Sequence, residues 1–159
     1  MRLNFCFSGP RLLLLLGVVI SVLIPRDASG QSRPFGAGLV LGSPTGISIK
    51  YWQNKDRALQ GGIAWDLGQD EVIQIHGDFL RHRFDVIDAQ RTALYYGPGV
   101  RIRFGHSNEG LGARFAFGIT HLLSQDPIEL FLEFAPVLNL TPDAQLILDG
   151  GLGIRYYFK

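Results

Sequence analysis

The chain of 159 residues has one cysteine, one methionine, and no run of like charge. Cys6 stands ahead of an apolar run, so it is too early in the chain to serve as a lipidated cysteine, which must follow such a run. If the leading segment is removed, the remainder has no thiol. A disulfide, a thiolate metal site and a cysteine nucleophile are then excluded. Fifteen Lys+Arg stand against fourteen Asp+Glu, a formal net charge of +1, and no basic stripe runs along any segment. The electrostatic footprint of nucleic-acid binding is absent. Also missing, beyond residue 30, is any helical periodicity longer than a turn or two.

The first thirty residues form a separate unit. Arg2 and Arg11 are followed by an uncharged stretch from Leu12 to Ile24, a break at Pro25, and the small residues Ala28, Ser29 and Gly30. A charged start, a short apolar middle and a small-residue end are the layout of a secretory signal peptide. The run is shorter than the roughly 20 residues of a spanning helix. The expected division is a cleavable signal peptide over 1–30 and a single domain over 31–159, with Gln31 as the first mature residue.

Glycine is abundant, at 20 residues, without a triplet repeat, which suits strands whose backbones approach closely. Turn-forming clusters recur at short intervals: GSPTG at 42–46, NKDR at 54–57, GQDE at 68–71, the stretch 83–90, GHSNE at 105–109, SQDP at 124–127 and TPDA at 141–144. They delimit eight expected strands, near 35–41, 46–53, 58–67, 72–82, 91–104, 110–121, 128–139 and 145–158, each with a period of two.

The two faces differ in kind. In the last strand Leu146, Leu148, Leu152, Ile154, Tyr156 and Phe158 alternate with Ile147, Asp149, Gly151, Gly153, Arg155 and Tyr157. Strands five, six and seven split the same way, and the first four do so more loosely. The polar face is small and carries isolated charges of both signs, whereas a face turned to bulk water is usually crowded with Lys, Glu, Thr and Ser. Small residues with a few charges fit a narrow lumen. The opposite face is large and apolar, with Phe35, Tyr51, Trp65, Phe104 and Phe158 near strand ends, as an interfacial aromatic girdle requires. Lipid also demands that no strand edge be left open. The fold class expected is all-β: an eight-stranded antiparallel transmembrane β-barrel, exported and placed in an outer membrane.

The segments GLVLGSPTGISIKYW (Gly38–Trp52), APVLNL (Ala135–Leu140) and GGLGIRYYF (Gly150–Phe158) resemble a family of short bacterial outer-membrane β-barrel proteins, similar in architecture to the membrane domain of OmpA. The resemblance covers essentially the whole chain after the leading segment. It rests on strand patterns, not catalytic signatures. It implies outer-membrane lipid as surroundings and insertion by the outer-membrane assembly machinery, which reads a last strand ending in an aromatic residue. Phe158, followed by Lys159, stands in that place. The family brings no catalytic residue and no cofactor.

The inward parity gathers Lys50, Asp78, Arg101, Arg103, Arg114, Glu129, Glu133, Asp149 and Arg155 as a lumen charge network. With eight strands the interior is just wide enough for side chains to fill, and lone charges there would be very costly. A salt-bridged plug is therefore expected ahead of a gated pore. Within it, Arg114 and Glu133 are expected opposite or almost opposite one another across a hairpin turning near Leu123 and Ser124. Arg101 is expected beside Arg114, so that Glu133 serves two arginines, with Asp149 available.

Other chemistry fits the sequence less well. His76 and Asp78 share a face but lack a third metal ligand at suitable spacing. His121, Ser124 and Glu129 are the elements of a hydrolytic triad, without a nucleophile elbow. The glycine pairs Gly97/Gly99 and Gly151/Gly153 precede no helix and so form no phosphate loop. The function expected is a non-enzymatic barrel with a structural or surface-interaction role and no cofactor. Two alternatives are an outer-membrane lipid-modifying enzyme of lipid A deacylase or phospholipase type, and a soluble periplasmic lipocalin-like barrel. The connections all look short, which leaves little material for long adhesive loops.

Overall fold

The structure is a computed structural model that describes residues 33–66, 72–87, 89, 91–105, 109–141 and 144–159. The segment read as a signal peptide lies outside the described residues. The rest forms eight strands: β1 (Phe35–Ser43), β2 (Thr45–Trp52), β3 (Arg57–Asp66), β4 (Val72–Arg83), β5 (Thr92–Phe104), β6 (Gly110–Leu122), β7 (Ile128–Asn139) and β8 (Gln145–Phe158). Each lies within two residues of its expected limits.

Every strand pairs antiparallel with its sequence neighbours, and β8 returns to β1 to close the barrel, from Phe35↔Phe158 to Ser43↔Gly150. Closure leaves no open sheet edge, the condition for a sheet that lies in lipid. Two prolines are accommodated where the ladder can spare an N–H. Pro98 interrupts β5 on its β4 side and still pairs with Phe115 of β6. Pro136 interrupts β7 on its β6 side and still pairs with Leu148 of β8.

Alternation decides what each side chain meets. Leu39, Ile49, Ile63, Ile75, Val100, Phe115, Leu132, Leu152 and their counterparts on all eight strands point outward and are exposed. The alternate positions point inward. The interior is polar, the reverse of a soluble barrel that houses an apolar ligand. An outward apolar band around a polar interior is the membrane-barrel arrangement.

One barrel end, here the proximal end, carries Phe35 and Phe158 and the β2–β3, β4–β5 and β6–β7 connections. The other, distal end carries the remaining four connections. The β2–β3 turn follows from Asn54, whose side-chain Oδ1 accepts the backbone N–H groups of Asp56 and Arg57 at 3.1 and 2.9 Å, a local Asx arrangement.

The β6–β7 connection is wider than expected. Leu123 N–H bonds Ile128 carbonyl at 2.9 Å, so the turn spans Leu123 to Pro127 instead of centring on Leu123 and Ser124. The pairing is consequently Gly118↔Glu133 and Arg114↔Val137. Arg114 and Glu133 are not directly opposite, which corrects the expected register. Residue parity survives the change because the shift is by an even number of positions.

Candidate functional site

The polar interior is the feature of this barrel with chemistry in it. Its buried charged side chains among the described residues are Lys50, Arg101, Arg114 and Arg155 against Asp78, Glu129, Glu133 and Asp149, four of each sign. Period-two alternation on β2, β4, β5, β6, β7 and β8 puts them there, and closure of the sheet brings distant strands face to face.

They form two clusters. The proximal cluster is built on Glu129 of β7. It pairs with Lys50 Nζ at 2.7 Å and with Arg155 Nη1 at 3.4 Å. It also accepts hydrogen bonds from the hydroxyls of Thr120 and Tyr157. The Tyr157 hydroxyl in turn accepts from Trp52 Nε1 at 3.0 Å. Aromatic faces take up the remaining positive charge: the Arg155 guanidinium lies 3.6 Å from the Phe131 ring centre, and Lys50 Nζ lies 4.6 Å from Trp52 and 5.4 Å from Tyr95. Such contacts gain strength where water is excluded.

The second cluster, towards the distal end, is built on Arg114 of β6. Its Nε donates to Asp78 at 2.9 Å, its Nη1 reaches Asp149 at 3.3 Å, and its Nη2 pairs with Glu133. Arg101 donates to both oxygens of Asp149, at 3.1 and 3.0 Å, and to Asn139 Oδ1 at 2.7 Å. Asp149, not Glu133, is therefore the carboxylate shared by two arginines, which corrects the expected assignment. Gln60 joins the clusters: its Nε2 donates to Glu133 Oε2 at 2.6 Å and its Oε1 accepts from Arg155 Nη2 at 2.5 Å. With two cations and one anion in the first cluster and two cations and three anions in the second, the clusters carry opposite excess charge. Among the buried charges of the described residues the two signs balance.

Arg103, the ninth charged position singled out from the sequence, is half-buried towards the distal end and makes no ion pair with a described residue. Phe158 sits outward at the proximal end, against Phe35 and Tyr156 with ring centres 6.1 and 5.1 Å apart. The neutral members Ser48, Gln60, Thr120 and Asn139 do not stand out in the sequence as parts of a charge network. Only their inward parity marks them. His82 is also inward, packed between Trp52 at 4.3 Å and Tyr95 at 5.3 Å, and the looser pattern of strand four hides it.

Side chains fill the space. Arg101, Arg155, Tyr95, Lys50 and Leu80 are among the fully buried residues. At the proximal mouth Arg33, Trp52, Arg91 and Tyr157 border an open recess of about 410 Å³; further in, a cavity of about 30 Å³ remains, bordered by Ser48, Gln60, Gln74, His76, Arg114 and Asp149. That is room for a water or two, not a metabolite. His76 Nε2 stands 3.9 Å from Asp78 Oδ2, and among the described residues no group of three His, Cys, Asp or Glu is placed to hold a metal ion.

The elements of the hydrolytic triad are dispersed. His121 faces outward, with Nδ1 2.8 Å from Thr92 Oγ1. Glu129 faces the lumen, and Ser124 lies in the β6–β7 turn, its carbonyl accepting from Arg91.

No family model matches this sequence, and no curated protein matches it. Among solved structures, it is similar to the N-terminal β-barrel domain of OprF from Pseudomonas aeruginosa. The TM-score is 0.53 at 15% identity, over 78% of this chain and 95% of that one. At this identity the likeness concerns architecture: the chain has the OmpA-like fold, a closed eight-stranded antiparallel barrel.

Proposed function

We propose that the protein is an integral outer-membrane barrel with a plugged, salt-bridged lumen and a structural or surface-interaction role, made with a cleavable signal peptide over 1–30. The observation that carries this reading is the division of faces. Large apolar side chains cover the outside of all eight strands, while the buried charges sit inside, paired across the barrel. In water such an outside would aggregate. In lipid it is the favourable surface, and the paired charges avoid the cost of lone ones.

Partners follow from the same reading: outer-membrane lipid around the band, and the outer-membrane assembly machinery acting on the last strand at Phe158. The dispersed His121, Ser124 and Glu129 and the filled lumen favour a role without catalysis and without a cofactor.

The test is membrane fractionation with heat-modifiability on a gel, followed by planar-bilayer recording. The expected result is an outer-membrane protein whose unboiled form migrates apart from the boiled one, begins near Gln31, and passes little steady current. A soluble, detergent-independent protein would overturn the membrane reading. A large stable ion-selective current would overturn the plug.

A further inference from the structure

Three arginines depart from the apolar exterior. Among the described residues, the exposed Asp, Glu, Lys and Arg side chains within the strands are Arg57, Arg81 and Arg83. All three lie on β3 and β4 at the proximal end, beyond the outward aromatic Phe79, with Arg81 level with Tyr96 of β5. Elsewhere around that rim the outward positions are apolar or uncharged, such as Phe35, Ile119 and Phe158.

Two of the three are cross-strand partners. Arg57 and Arg81 are paired in register on the same face, and like charges directly opposite destabilise a sheet unless something lies between them. Intramolecular compensation is uneven. Arg83 is neutralised by Asp85, with Nε and Nη2 donating at 2.8 and 2.6 Å. Arg81 Nε stands 3.6 Å from Asp56, beyond hydrogen-bond length, and both side chains are about half exposed. Arg57 has no ion pair with a described residue. Tyr96 is the cross-strand neighbour of Arg81 on its other side. Towards the middle of the barrel, Leu59 and Phe79 continue the same two columns as an apolar track.

We propose that Arg57 and Arg81 hold the headgroup phosphate of an anionic glycerophospholipid, with an acyl chain laid along Leu59 and Phe79. Two guanidinium groups carried at paired positions on adjacent strands can together reach the oxygens of one phosphodiester. The anion removes the repulsion that the register imposes. The apolar track beneath distinguishes a lipid from a free phosphate, which would have no use for it. The aromatic belt places the pair at headgroup depth. This inference rests on the membrane-spanning reading above.

The experiment uses the full mature chain refolded in phosphatidylcholine vesicles, and native mass spectrometry of the detergent-extracted barrel with phosphatidylglycerol and phosphatidylcholine in equal amounts. Expected is preferential retention of phosphatidylglycerol, reduced by about fivefold for each arginine replaced in Arg57→Gln and Arg81→Gln. The Arg57→Lys/Arg81→Lys variant should keep part of the preference, since charge remains while the fork is lost.

Equal retention of the two lipids by the unaltered protein overturns the site. So does an unchanged preference in the Gln variants. If the double Gln variant does not fold, the competition on the unaltered protein and the Lys variant decide. Failure to insert into phosphatidylcholine vesicles at all would overturn the membrane reading together with the site. Insertion without lipid preference would overturn the site alone.

Discussion

Arg114 and Glu133 form an ion pair although their backbones are four residues out of register: Glu133 is opposite Gly118, and Arg114 is opposite Val137. The long guanidinium stem spans this offset, while the space over Gly118 is taken by the Tyr95 ring, whose hydroxyl donates to Glu133. The small residue facing Glu133 thus makes room for Tyr95, not for Arg114. Arg114 also serves Asp78 and Asp149, whereas Glu133 is held additionally by Gln60 and by the Tyr95 hydroxyl at 2.9 Å.

That difference in partners sets an order of losses. Arg114→Met leaves Asp78, Asp149 and Glu133 without their common cation, while Glu133→Gln keeps a side chain able to hydrogen-bond Gln60 and Tyr95. Breaking a buried pair costs about 3–5 kcal/mol, and Arg114→Met should fall at or above the top of that range, Glu133→Gln below it. Both should exceed Glu109→Gln in the β5–β6 connection. A double cycle with Arg114→Met and Glu133→Leu, read by urea unfolding in lipid vesicles, should be non-additive. Recovery should be partial, because Asp78 and Asp149 stay exposed to the loss. Simple addition of the two single losses would show that the pair is not coupled.

The proximal cluster predicts the opposite ordering of signs. Glu129 is the acid to which Lys50 and Arg155 both turn. Glu129→Gln leaves two buried cations together, whereas Lys50→Met leaves Glu129 still paired with Arg155 and bonded to Thr120 and Tyr157. Glu129→Gln should therefore lower the urea midpoint more than Lys50→Met. The reverse order would mean that Arg155 does not compensate Glu129.

The outward face should reject charge at mid-span. Leu132 is outward and exposed on β7, while its neighbour Glu133 is buried. Leu132→Arg should cost about 2–4 kcal/mol near the bilayer midplane, read by unfolding in vesicles. Equal tolerance of arginine at 132 and 133 would contradict the assigned faces.

Glycines should divide by face and by the space around them: Gly153 is inward on β8, and Gly77 is outward on β4. A Cβ at Gly153 would lie 2.2 Å from Phe131 Cζ, and that ring is held beneath the Arg155 guanidinium. Gly153→Ala should destabilise by about 1–3 kcal/mol through overpacking, and Gly153→Leu by more. A Cβ at Gly77 would meet nothing within 4 Å. Gly77→Ala should be neutral or stabilise by about 0.4–1 kcal/mol, by restricting the unfolded chain. Thermal or urea midpoints of the two alanine variants check the contrast.

Strand number, strand limits and the face of most residues were legible in the sequence, because side-chain direction in a strand follows position with a period of two and needs no partner. Glycine and charge on one parity, and large apolar residues on the other, already separate lumen from lipid in β5 through β8. In β4 the reading is harder. Leu80 and His82 turn inward and Arg81 and Arg83 outward, so residue type near the strand's end contradicts the pattern of its middle. Only pairing with β3 and β5 reveals it. Which charge meets which was beyond the sequence for a different reason. Lys50 and Glu129 are 79 positions apart, and Arg101 and Asp149 are 48 apart; strands not adjacent in the sheet meet only after β8 has closed on β1. The offset between Arg114 and Glu133 likewise depends on the span of one turn, from Leu123 to Pro127. Parity is a local property of the backbone, so the sequence alone determined it. Register and closure are set by the whole barrel at once, and the tertiary structure alone decided them.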